Sequence, residues 1–226
     1  MKRYVHQMGA VTLLTLCMPV FAANVDNSLG TPEEIPGKPY AAGGYTIATG
    51  EAANFVDNGW NLGTGVQWQL GPGPVWLRLD FEYSRNNATH QLLNEGTAVN
   101  QTRVDHGWTD LWSNDLDAVY YLPLSRGIHA YVMAGGGGAI RRISLTQTVS
   151  NGGPFCMDWA GLCANGGYAG DVLVSSKTTG RWELNAGVGF NFSIGGTDSL
   201  FVEARYMEME TPIRTVFVPI RFGLLL

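Results

Sequence analysis

Charged side chains recur at every second position in several apolar stretches of this 226-residue chain. Arg181 and Glu183 lie in a stretch whose even positions from 182 to 194 are all apolar. Arginines and carboxylates brought together in this way are able to form ion pairs, an ion path or an acid–base pair, depending on their access to water. The residues that share this pattern are Arg78, Asp80, Glu82, Asp115, Asp117, Arg181, Glu183, Glu203, Arg205 and Arg221.

Histidine chemistry has one local candidate, Asp105-His106 with Asp110. Adjacent residues of a strand point to opposite faces, so this pair is not expected to form a dyad. His90 lies in the same polar connection and His129 begins a later strand. Solvated histidines are the simpler interpretation, and we predict that the protein is not an enzyme.

Two cysteines, Cys156 and Cys163, lie six residues apart in a glycine-rich loop. In an exported chain this spacing favours a structural disulfide, and the lack of a nearby histidine argues against a zinc site. The closed ring would stiffen a loop tip that carries Phe155, Met157 and Trp159. Such a tip either recognises a ligand or packs on itself. No cofactor or metal site is predicted.

The elements that carry these residues are strands with one apolar and one polar face. The same alternation appears in the runs 75–84, 181–194, 200–207 and 216–226. In a soluble protein the apolar faces would pack together, whereas in a membrane barrel they would face lipid and turn the charges into the lumen. The glycine run Gly135–Gly138 lacks the Lys and Ser or Thr of a phosphate loop. We expect it to admit a bulky lumen residue such as Trp76, Tyr121 or Tyr131.

The N-terminal residues favour the membrane interpretation. Residues 1–22 combine Lys2 and Arg3 with an apolar stretch and small residues at the end, as in a cleaved secretory signal. Cys17 leaves lipidation as an alternative, although Leu16 precedes it where a small residue is preferred. The remaining chain has no apolar run of about 18 residues, so only a closed barrel is expected to cross a bilayer.

Three glycine-rich or proline-rich tight turns alternate with four longer polar connections. This rhythm predicts an all-β fold, an eight-stranded antiparallel transmembrane β-barrel with short periplasmic turns and longer extracellular loops. We assign residues 1–22 to the signal peptide, 23–42 to an irregular periplasmic segment and 43–226 to the barrel. Tyr83, Trp112, Trp182 and Tyr206 are predicted to form an aromatic girdle near the loop ends.

Composition agrees with this assignment. Charged residues make up 15% of the chain, glycines number 30 and aromatic residues reach 11%. Removal of the signal leaves 12 basic against 19 acidic residues, a net charge of −7. An acidic chain without a basic stripe argues against nucleic acid as a partner.

The segments 200–206 and 216–223, together with the order of turns and loops, resemble the final hairpin and topology of the OmpA-like eight-stranded outer-membrane barrel family. The resemblance covers the chain from about Gly43 onward. It implies a monomer in the outer membrane, surrounded by lipid and lipopolysaccharide and inserted by the barrel-assembly machinery.

The resemblance also implies a non-enzymatic role in envelope integrity and surface interaction through the extracellular loops, which are open to an extracellular ligand. We expect the ten charged residues to form an ion-paired plug, since a buried unpaired charge is costly. A narrow ion or small-solute channel and a lipid A-modifying enzyme remain alternatives.

Overall fold

The computed structural model describes residues 37–151, 155–157, 162–164, 168–195, 198–211 and 215–226. The predicted signal peptide, residues 1–22, lies outside the described residues, as do residues 23–36 of the predicted irregular segment. Among the residues described, no helix is long and apolar enough to cross a membrane.

Strands dominate the described chain. Their bounds are β1 Lys38–Thr49, β2 Val56–Gln69, β3 Val75–Ala88, β4 His106–Ser125, β5 Ile128–Asn151, β6 Phe155–Met157, β7 Leu162–Ala164, β8 Tyr168–Gly195, β9 Asp198–Met209 and β10 Thr215–Leu225. A 3-10 helix spans Gly50–Asn54, and the helix α1 spans His90–Asn100. The first strand therefore begins at Lys38 rather than near Gly43.

Eight of these strands close into a barrel in the order β1-β10-β9-β8-β5-β4-β3-β2. Every neighbouring pair is antiparallel, and β1 closes the ring on β10 with Tyr45 opposite Ile220. The strands β6 and β7 form a separate two-stranded sheet within the third loop. The predicted eight-stranded antiparallel barrel is confirmed.

The two ends of the barrel differ in the length of their connections. Short turns join β2 to β3, β4 to β5 and β8 to β9, which are the three turns that the sequence predicts. At the opposite end, hereafter the loop end, the 3-10 helix, α1 and the β6–β7 hairpin fill the connections.

The sequence predicted a plain polar connection where α1 lies. Thr89 caps this helix, because its side chain accepts a hydrogen bond from the Leu92 N–H, and Gln101 ends it in a left-handed conformation. The helix has few apolar residues and no charge pattern, so periodicity gave little signal for it.

Two strands project beyond the ring at the loop end. The strand β5 continues past Thr146, which pairs with both β4 and β8, and β8 accompanies it as far as the pair of Asn151 with Tyr168. We call this two-stranded projection, residues 147–151 and 168–173, the arm. The β6–β7 hairpin lies in the connection between its strands.

Exposure alternates along the strands as the sequence pattern predicts. In β8, Leu184 is 72% exposed and Val188 57%, whereas Glu183, which precedes Leu184 and points to the opposite face, is 2% exposed. The outer face is therefore apolar and the inner face polar, as expected for strands that have lipid on one side. Trp60, Tyr83 and Trp112 pack together on the outer face near the loop end, with ring centroids 5.3 Å apart in each contact.

The lumen as candidate functional site

The lumen is filled by side chains in three layers. An apolar layer closes the loop end and consists of Ala48, Val56, Leu111, Ala139, Met209 and Phe217. Charged residues occupy the middle. Aromatic and aliphatic residues close the end with the short turns, where Tyr40 packs with Phe201, and Tyr131 with Val119 and Met133. The charges are thus separated from both mouths by apolar side chains.

Glu203 on β9 is the centre of the charged layer. It accepts hydrogen bonds from Arg78 at 2.7 Å, from Arg205 at 2.8 Å and from Arg221, whose Nε lies 2.9 Å from Oε1. The Tyr131 hydroxyl is a fourth donor side chain, and it bonds to Oε2 at 2.6 Å. All of these side chains are buried, so their charges are balanced by one another rather than by water.

A second group of ion pairs joins β3 to the opposite wall. Asp80 accepts bonds from Arg205 and from Arg221, the latter at 2.8 Å, and Arg221 also donates to Glu82 at 2.8 Å. An arginine guanidinium carries five N–H donors in a plane, which suits it to several carboxylates at once. The network therefore ties β3, β9 and β10 together across the barrel.

Arg78 lies at the boundary between the charged layer and the aromatic layer. Its guanidinium carbon is 4.8 Å from the centroid of the Tyr40 ring, 5.5 Å from that of Tyr131 and 5.6 Å from that of Phe201. Aromatic faces stabilise a guanidinium electrostatically, more strongly when water is excluded. Tyr40 and Tyr131 belong to this site although the sequence analysis did not assign them to the charge network. The parity of Tyr131 on β5 was the available signal, whereas Tyr40 lies in a segment that was predicted to be irregular.

Nine of the ten predicted lumen charges are buried on the inner face. Arg78, Arg205, Arg221, Asp80, Asp115, Asp117 and Glu203 are at most 1% exposed, Glu183 is 2% and Glu82 is 6% exposed. Asp117 receives a hydrogen bond of 2.9 Å from the Asn185 amide and lies 3.4 Å from Arg205.

The tenth residue, Arg181, is exposed, and its guanidinium donates to the Gly180 carbonyl. Its assignment to the lumen network is wrong. The pairing of β8 with β9 ends at Glu183 opposite Met209, so Arg181 lies beyond the last residue of β9 and outside the closed lumen. Alternation places a residue on a face but does not say where the neighbouring strand stops.

The glycine run of β5 makes room for lumen carboxylates rather than for a bulky aromatic ring. A Cβ at Gly137 would lie 2.7 Å from an oxygen of Asp115, and one at Gly135 would overlap Asp117. The expectation that Trp76, Tyr121 or Tyr131 lies over this run is therefore wrong. Tyr131 instead covers Gly189 on β8.

The histidine candidates do not form a catalytic group in the described structure. Asp105 accepts bonds from the Arg103 guanidinium at 2.6 Å and from the Thr148 N–H at 3.0 Å. The Thr148 N–H and Arg103 hold the pKa of the Asp105 carboxyl below its ordinary value. Asp110 accepts bonds from Tyr83 and Arg85, both at 2.7 Å. These carboxylates have structural partners, and the His106 side chain between them is exposed.

The loop cysteines lie opposite each other. The backbone of β6 pairs with that of β7 so that Cys156 faces Cys163, while their side chains lie outside what the structure describes. Directly opposed residues of an antiparallel pair have Cα atoms about 4.5–5.5 Å apart, within the span of a disulfide. The disulfide itself stays a prediction.

A cavity of about 440 Å³ opens at the end with the short turns. Its lining includes Lys38, Gln67, Trp76, Tyr121 and His129. Gln67 and Tyr121 are joined by a hydrogen bond of 3.2 Å, and the Lys38 ammonium lies 5.8 Å from the Trp76 ring centroid. Tyr121 also packs on Tyr131, and this aromatic contact separates the cavity from the charged layer.

Several solved structures are similar to this chain. Neisserial surface protein A has a similar structure, with 12% identity, a TM-score of 0.51 and coverage of 84% of this chain and 96% of that one. A major outer membrane protein from Thermus thermophilus gives 13% identity, a TM-score of 0.46 and coverage of 84% and 98%. Ail, the attachment invasion locus protein of Yersinia pestis, has 12% identity and a TM-score of 0.43, and the match covers 84% of this chain and 97% of that one.

A search of curated proteins gives no match. The family model for the outer membrane protein beta-barrel domain matches residues 8–215, which is most of the chain. The chain therefore belongs to the outer membrane β-barrel protein family, and this membership indicates a location in the outer membrane.

Proposed function

We propose that the protein is a non-enzymatic barrel that supports envelope integrity and makes contacts at the cell surface through its loop end. The observation that carries this proposal is the contrast between the two parts of the molecule. The lumen is filled and its three buried arginines are paired with carboxylates, whereas the arm and the β6–β7 hairpin project from the ring. Connecting segments presented by a rigid scaffold are where binding residues are usually found.

Ion conduction is the less favoured role. An ion would have to pass the apolar loop-end layer, which includes Phe217 and Met209, and then the aromatic layer around Tyr131. Apolar constrictions exclude water and hence ions. Eight-stranded barrels also have interiors that side chains can fill.

Lipid modification is less favoured for a different reason. Asp105 and Asp110 are engaged by Arg103 and Arg85, and each of these bonds serves the local structure. A general base must lie within hydrogen-bond reach of a nucleophile or water in a position that substrate can reach. His106 and His90 are exposed on the loop end without such a partner among the described residues.

The test is complementation of a deletion strain with the full chain or with a variant in which a short turn replaces residues 150–169. We expect both chains to restore resistance to detergent and to large antibiotics. Only the full chain is expected to restore attachment of the cells to a surface. The matched control is Cys156→Ser with Cys163→Ser, which keeps the length of the chain.

Equal attachment by the full and shortened chains would contradict the proposed role of the loop. A lipid A mass spectrum that changes when the full chain is restored would favour the enzymatic alternative. Stepwise currents from the purified barrel in planar bilayers would favour the channel.

A further inference from the structure

The charged layer of the lumen holds more carboxylates than arginines. Three arginines, Arg78, Arg205 and Arg221, are buried there with six carboxylates. Glu203, Asp80, Glu82 and Asp117 each lie within 4 Å of at least one of these arginines. The carboxylates left over are those of Asp115 and Glu183.

These two carboxylates belong to a row that crosses three strands. Gly137 on β5 pairs with Asp115 on β4 and with Glu183 on β8, and a Cβ at Gly137 would lie 2.7 Å from the Asp115 Oδ1. The glycine thus leaves room for the two acids to approach each other over β5. All four of their oxygens are buried without a hydrogen-bond donor among the described residues.

The neighbouring row shows what a donor does in the same geometry. There Gly135 pairs with Asp117 on β4 and with Asn185 on β8. The Asn185 amide donates to Asp117 at 2.9 Å across the glycine. The two rows differ in that β8 supplies an amide in one and a second acid in the other.

Two carboxylates that share a buried site cannot both be ionised without a large electrostatic cost. One proton removes a negative charge and at the same time supplies the missing donor. A metal ion would require further ligands, and the described residues contain no group of three His, Cys, Asp or Glu side chains that could hold one. We propose that Asp115 and Glu183 form a buried binding site for one proton, held between the two carboxylates.

The charged groups around Asp115 and Glu183 also favour the binding of one proton by the pair. Asp117 and Asp80 repel a negative charge on Asp115, Glu82 repels one on Glu183, and Arg205 attracts both. Arg205 donates hydrogen bonds to Asp80 and Glu203, and its Nη1 lies 3.4 Å from Asp117. The strand β5 contributes only glycine at this level, and the inward residue next to Glu183 on β8 is the neutral Asn185.

The proton is testable by infrared spectroscopy of the full chain folded in lipid nanodiscs, with ¹³C-labelled aspartate or glutamate to assign the carboxyl bands. At neutral pH we expect a protonated-carboxyl stretch that shifts with either label and disappears at alkaline pH. Glu183→Gln imitates the Asn185 row, because its amide can donate to Asp115, and should abolish the band. Glu51→Gln, a change on the exposed 3-10 helix, should leave it intact.

Folding is checked by the change in gel mobility on heating. If Glu183→Gln does not fold, the labelled wild-type chain decides the question by itself. A folded wild-type chain without a protonated-carboxyl band at neutral pH would overturn the proposal. So would a band that appears only when sodium chloride is replaced by choline chloride, since the pair would then hold a sodium ion instead.

Discussion

The ring of Tyr131 on β5 lies against the backbone of Gly189 on β8, in the space that a side chain at position 189 would occupy. The ring is buried, and its hydroxyl donates to Glu203 at 2.6 Å. The close approach of this large side chain to a glycine thus allows a fourth side chain to donate a hydrogen bond to Glu203, the central carboxylate of the lumen.

Gly189→Ala should therefore destabilise the barrel, because the Tyr131 ring cannot move without losing its bond to Glu203. Overpacking of this kind costs about 1–3 kcal/mol. The measurement is urea unfolding in lipid vesicles followed by tryptophan fluorescence. Gly138→Ala is the matched control, since a Cβ there meets no atom within 4 Å. Equal stability of the two variants would show that the contact is not tight.

Arg221→Met should lower the free energy of unfolding by more than Gly189→Ala does. Arg221 is fully buried and is the only arginine bonded to Glu82 in the described structure. Removal of one partner from a buried ion pair costs about 3–5 kcal/mol, because the remaining charge is left uncompensated. Adding Glu82→Gln to this variant should recover part of the loss. The exposed Arg142→Met serves as the control in the same unfolding experiment, and a similar small effect at both sites would contradict the prediction.

Val188→Arg tests which face meets lipid. Val188 is 57% exposed on the outer face of β8 in the middle of its pairing with β5 and β9. An arginine at the bilayer midplane costs about 2–4 kcal/mol, and the cost falls towards the interfaces. Insertion into vesicles should therefore be impaired. Val149→Arg, on the arm, should insert normally, and equal insertion of both variants would place Val188 outside the membrane.

Asp105 lies in the connection between α1 and β4. We predict that the hydrogen bond by which it holds this connection to the arm depends on pH. The Thr148 N–H and Arg103 lower the pKa of Asp105 in the folded protein. A lowered pKa stabilises the folded contact above the pKa of the unfolded chain and loses this effect as the pH falls through the folded value. The Thr148 amide proton resonance should follow this titration. In Asp105→Ala the resonance should be independent of acid, and an unchanged titration would assign it to another group.

The cysteine pair has a simple chemical test. Because the backbone sets Cys156 opposite Cys163, we expect the exported chain to resist maleimide labelling until it is reduced. Mass spectrometry of the intact chain would count the labels. Labelling of both cysteines without reduction would show free thiols in the loop.

Much of the barrel was predictable because a strand between lipid and a packed lumen leaves a strict alternation in its sequence. The pattern from 181 to 194 identified the outer positions of β8, such as Val188, and the inner ones, such as Asn185. The pattern did not predict the level along the barrel axis at which each strand ends. Arg181 was therefore placed in a lumen that closes only at the level of Glu183.

The partners of each charge were not predictable in the same way. Arg205 bonds to Asp80, 125 positions away along the chain, because the shear of the barrel brings β9 and β3 across from each other. The alternation of apolar and polar residues does not predict which strands face each other across the lumen. Nor does it distinguish Asp117, which has an amide donor, from Asp115, which has none.

The closure of β1 on β10 has a consequence for the order of biogenesis. Arg221 belongs to the final strand, whereas its partners Asp80 and Glu82 belong to the third. Asp80 can already pair with Arg205 of β9, whereas Glu82 is expected to stay hydrated until the last strand brings Arg221. Sealing of the ring therefore completes the ion pairing of the interior, and a chain without its last strand would leave Glu82 without its arginine.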